Sequence, residues 1–86
     1  MNQPAGRESG CQMMKRIAKE LKASIRAAEG HADELSRRIA ELEAQPGPEV
    51  ELEITALAKA REAIEKKIAE EHASLSTLED VIIENC

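Results

Sequence analysis

The chain of 86 residues contains no Phe, Tyr or Trp. Any core it forms lacks the side chains that bury the most area each, and no aromatic is present to stack on a nucleic-acid base. A basic excess is missing too: 12 Lys and Arg stand against 17 Asp and Glu, a formal net charge of −5. Backbone-driven nucleic-acid binding needs a positive surface, so that class is disfavoured. No apolar run approaches the ~20 residues that span a bilayer, and the N-terminus lacks the apolar core of a secretory signal. A cytoplasmic protein without membrane contact is expected. Cysteine occurs twice, at Cys11 and Cys86, with no Cys-x-x-Cys pair, and in a reducing compartment two free thiols are the expectation. There is no Gly-rich phosphate loop and no nucleophile elbow, and the two histidines, His31 and His72, fall at distant levels of the expected fold. No catalytic residues, no cofactor and no metal are therefore assigned, and the protein is not expected to be an enzyme.

What is present is a long, charged, alanine-rich segment on each side of Gln45-Pro46-Gly47-Pro48. A proline inside a helix loses a backbone hydrogen bond and clashes with the preceding turn, and the residue before it is pushed out of the helical region. Pro46 should stop one helix, and Pro48 is suited to the first turn of the next. A short connection between two long helices implies an antiparallel hairpin. Residues 1–10 carry Pro, two Gly, Ser and Asn without an apolar period and read as a disordered tail.

The first helix is expected over 12–43, the turn over 45–48 and the second helix over 49–84. Helix-one apolar positions are Met14, Ile17, Leu21, Ile25, Ala28, Ala32, Leu35, Ile39 and Leu42, spaced by threes and fours, which is a helical stripe. Two consecutive fours, Ile17 to Leu21 to Ile25, form a stutter that relaxes a left-handed supercoil. Gly30 interrupts this helix at ~1 kcal/mol relative to alanine and reads as a close-approach or bending site. In the second helix a strict alternation of fours and threes runs through Val50, Ile54, Leu57, Arg61, Ile64, Ile68, Glu71, Leu75, Leu78 and Ile82. Arg61 and Glu71 are candidate register-setting residues, since a polar seam position fixes register or oligomeric state at some cost in stability. The competing reading rotates the stripe to Ala60 and His72.

Folding about residue 46 or 47 brings Ile39 opposite Ile54, Leu35 opposite Leu57, Ile25 opposite Ile68, Ile17 opposite Leu75 and Met14 opposite Leu78. Cys11 comes near Ile82, with Cys86 one turn beyond, so a bend at the termini would bring the cysteines within disulfide reach. Charge favours the same pairing. Lys15, Arg16, Lys19, Lys22 and Arg26 crowd the start of helix one, and Glu65, Glu70, Glu71, Glu79, Asp80 and Glu84 lie toward the end of helix two. Both clusters oppose their own helix dipole, and an antiparallel hairpin sets one beside the other. Asp33–Arg37, Glu34–Arg38, Glu62–Lys66 and Lys67–Glu71 have the spacing of ordinary intrahelical pairs.

Three features of the chain are similar to known groups. Pro46-Gly47-Pro48 and Ile82-Ile83-Glu84-Asn85 resemble the proline-bracketed turn and Ile-Ile-x-Asn tail of type III secretion needle subunits, although one residue separates the prolines where that family commonly has two, and the family's aromatics are missing. That resemblance implies a structural subunit, or an associated chaperone, of a helical assembly. The hairpin architecture resembles the plasmid copy-number regulator, a dimeric four-helix bundle that binds RNA. The acidic tip, Glu41, Glu43, Glu49, Glu51 and Glu53, is similar in charge to that of transcript-cleavage factors.

A lone two-helix hairpin leaves the edges of its apolar stripes wet, and chains this small commonly add a second subunit. The expected object is an all-α antiparallel coiled-coil hairpin that dimerises into a four-helix bundle. The expected function is protein–protein interaction, with itself and with a further protein, as a small adaptor, regulator or inhibitor. The association surface is assigned to Met14, Ile17, Leu21, Ile25, Leu35, Ile39, Ile54, Leu57, Ile64, Ile68, Leu75, Leu78 and Ile82. The consecutive Val81, Ile82 and Ile83 exceed what one seam uses and suggest contact with another chain. The alternatives are the assembly subunit and a nucleic-acid-binding regulator acting through the basic start of helix one.

Overall fold

The computed structural model describes residues 8–45 and 47–86. These form two helices, α1 (Gly10–Glu43) and α2 (Pro48–Asn85), with no strand among the described residues. The helices pack against each other as an antiparallel hairpin measuring 68 × 25 × 14 Å.

Helix α1 starts two residues earlier than the apolar period predicts, because Ser9 caps it. The Gln12 amide donates to Ser9 Oγ at 3.1 Å, and the Ser9 amide donates to Gln12 Oε1 at 3.0 Å. This is a reciprocal capping box, which satisfies two otherwise orphaned donors. The tail expected over 1–10 is thus shortened: residues 1–7 lie outside the described residues, while Glu8 and Ser9 belong to the helix entry. At the other end the Gln45 amide donates to the Leu42 carbonyl at 2.9 Å. Pro46, the expected helix stop, lies outside the described residues. Gly47 has φ 134°, a conformation that side chains rarely adopt, and Pro48 follows in the first turn of α2 with Glu49 and Glu51 near the positive end of the dipole.

The inward face of α1 is Cys11, Met14, Ala18, Leu21, Ile25, Ala28, Ala32, Leu35, Ile39 and Leu42, every one buried or half-buried. The steps alternate three and four without interruption. The stutter expected at Ile17–Leu21–Ile25 does not occur, because Ala18 takes the seam position (7% exposed) and Ile17 sits beside it at 36%. The small alanine goes inward because the period of the helix, and not the size of the side chain, decides which residue faces the partner. Leu75 opposite then packs in one cluster with Ala18 and Ile25, flanked by Leu21, Ile68, Leu78 and Ile82.

In α2 the inward face is the strict alternation from Val50 to Ile82, including Arg61 and Glu71, all half-buried or buried. The rotated reading fails, since Ala60 and His72 are both exposed. Gly30 also differs from expectation. A Cβ there would meet nothing within 4 Å, so Gly30 is neither a close approach nor a packing requirement.

Candidate interaction surface

The seam is narrow, and its polar positions are built into it. Arg61 Nη1 donates to Ser36 Oγ at 3.2 Å, and the Ser24 hydroxyl donates to Glu71 Oε1 at 3.0 Å. Each bond runs from one helix to the other, so each charged side chain in the α2 seam meets a serine flanking the α1 seam. Lys67 Nζ lies 3.8 Å from Glu71 Oε1, one turn away, while Glu71 Oε2 is buried without a hydrogen-bond partner. Arg61 and Glu71 therefore make separate cross-helix contacts within one hairpin.

Ion pairs tie the helices at two further levels. Lys22 Nζ lies 3.3 Å from Glu79 Oε2, and Arg38 Nη2 lies 3.5 Å from Glu53 Oε1, with Arg38 also 3.6 Å from Glu41. All these groups are largely exposed, so each pair adds ~0–1 kcal/mol and acts on register more than on stability. Among the described residues the pairs expected at Asp33–Arg37, Glu34–Arg38 and Glu62–Lys66 do not form. At the entry to α1, Arg16 bridges Glu8 at 3.0 Å and Glu20 at 2.8 Å. The hydrogen bond from Arg16 holds the Glu8 carboxyl below its ordinary range, and the two carboxylates hold the guanidinium above its own.

The open end of the hairpin is closed by a disulfide between Cys11 and Cys86, with Cα atoms 6.0 Å apart. The bond replaces the expected free thiols. Helix α2 continues to Asn85, and Cys86 caps its last turn alongside Cys11.

The residues assigned to association divide on the structure. Ile25, Ile39 and Leu75 are buried within the hairpin. Met14, Leu21, Leu35, Ile54, Leu57, Ile64, Ile68, Leu78 and Ile82 are half-buried along its seam. Large apolar side chains left exposed are Met13 (46%), Ile17 (36%), Leu52 (74%), Val81 (38%) and Ile83 (79%). Four of these five lie at the disulfide end, and only Leu52 lies near the acidic tip. Beside Ile83 a groove of about 670 Å³ runs between the helices, with Lys15, Lys19 and Lys22 on its α1 side, Glu79 and Asp80 on its α2 side, and Ala18 and Ile82 deepest. Met13 was not singled out from the sequence, although its place beside Met14 and Ile17 at the end rich in apolar residues is the signal that marks it.

His31 and His72 are exposed. Among the described residues no group of three or more His, Cys, Asp or Glu side chains is placed to hold a metal, and no helix is long and apolar enough to cross a membrane. Comparison with known proteins finds no matching family, no similar curated protein and no similar solved structure. The resemblances drawn from the turn, the tail and the tip therefore rest on those residues alone.

Proposed function

We propose that this hairpin is a non-enzymatic protein–protein interaction module whose first partner is a second copy of itself, in a homodimeric four-helix bundle. The observation that carries the reading is the incompletely covered seam. Six hydrophobic residues are buried among the described residues, while nine assigned seam positions keep an exposed flank and four large apolar side chains cluster at the disulfide end. A second hairpin laid over the groove beside Ile83 covers that side chain and the half-buried seam positions on the same face, as in bundles of four helices. The Cys11–Cys86 disulfide fits an oxidising compartment better than the expected cytoplasmic one.

The test is the concentration dependence of thermal unfolding followed by circular dichroism. Association that favours the folded state makes the midpoint rise with protein concentration. A midpoint that stays constant over a hundredfold range would oppose self-association. Growth of open filaments instead of a closed species would favour the assembly-subunit alternative, since head-to-tail contacts need not close.

A further inference from the structure

We infer that two copies dock through the groove at the disulfide end, with their two-fold axis parallel to the hairpin, so that the lysine side of each groove faces the acidic side of the other. This rests on the self-association proposed above and specifies its surface. The groove is polarised across its width: Lys15 and Lys19 stand on α1, Glu79 and Asp80 on α2. Lys22 and Glu79 already pair within the chain, but among the described residues Lys15, Lys19 and Asp80 make no ion pair.

Two stacked hairpins can be related by a two-fold axis running along the helices or across them. An axis across the helices sets α1 on α1 and lysine against lysine, a like-charge arrangement that selects against the complex. An axis along the helices sets α1 of one copy on α2 of the other and brings Lys15 and Lys19 to Asp80 of the second copy. That arrangement repeats itself on both sides of the axis, as a closed two-fold contact requires. It also lays Ile83, 79% exposed, on the partner's lysine stems beside Ala18, where the apolar part of each lysine covers it. Both disulfides then lie at the same end of the dimer.

The test uses two charge-reversed proteins, one carrying Lys15→Glu and Lys19→Glu, the other Glu79→Lys and Asp80→Lys. Dimerisation is read by light scattering for each alone and for an equimolar mixture, with helicity checked by circular dichroism. The expected result is at least tenfold weaker dimerisation of each variant alone and recovery of the dimer mass on mixing, as a heterodimer by native mass spectrometry. Mixing distinguishes intermolecular pairing from damage to the fold, because a misfolded variant is not rescued. If the wild type dimerises and each variant alone does so equally well, or if mixing restores nothing, this docking geometry is overturned while self-association stands. If the wild type stays monomeric, the reading beneath the geometry falls as well.

Discussion

The Ser24 hydroxyl donates to Glu71 Oε1 at 3.0 Å, across the seam from one helix to the other, and leaves Glu71 Oε2 buried with no partner. Glu71 occupies a position where the spacing calls for an apolar residue. An unsatisfied buried polar atom costs ~1–3 kcal/mol, and apolar replacement of a buried charge is often stabilising. Glu71→Leu should therefore raise stability by ~1 kcal/mol, which for a domain of this size is a midpoint increase of about 4–8 °C. Ser24→Ala should lower stability, because it strips the carboxylate of its cross-helix donor. Thermal denaturation of both variants checks the pair of signs.

Seam phase is tested by comparing two isoleucines eight residues apart on α1. Ile25 is 4% exposed and packs with Ala18 and Leu75, whereas Ile17 is 36% exposed. Ile25→Ala should cost ~2–5 kcal/mol, and Ile17→Ala less than half as much, measured by urea unfolding at one protein concentration. Equal losses would return Ile17 to the seam.

Gly30→Ala should stabilise the hairpin by ~1 kcal/mol, the propensity difference at a helix interior. A Cβ at this position meets nothing within 4 Å, and Gly30 has no positive φ. A loss of stability in the thermal midpoint would mean that the glycine has a role in contact with another chain.

Reduction of Cys11–Cys86, or its replacement by serines, should lower stability substantially. The cysteines are 75 residues apart, and cross-linking so long a loop removes ~4 kcal/mol of unfolded-state entropy in the chain-entropy account. Chemical denaturation with and without reductant measures the difference. Equal midpoints would show that the bond does not constrain the unfolded chain as that account requires.

The hairpin was legible because two long apolar periods meet at one Pro-Gly-Pro turn, and reversing one along the other matches apolar positions at many levels. The α1 phase was harder. Following the largest apolar side chains leads through Ile17, while unbroken spacing leads through Ala18, and the helix geometry follows the spacing. Ser9 and Gln12 carry the Ser-x-x-Gln signature of a capping box, a local signal that apolar periodicity does not contain. Arg61 and Glu71 could be flagged from α2, but whether they face inward depended on Ser36 and Ser24 in the other helix. The interaction surface was the least legible part. Association and hairpin formation draw on the same apolar residues, and only the packed structure separates those consumed internally from Met13, Ile17, Val81 and Ile83.

Mass in solution by light scattering, over a wide range of protein concentration, tests the central claim most directly. Self-association through the uncovered flank predicts a discrete species of twice the chain mass, with dissociation to single chains only on dilution. A single-chain mass at every concentration, with full helicity, would contradict it.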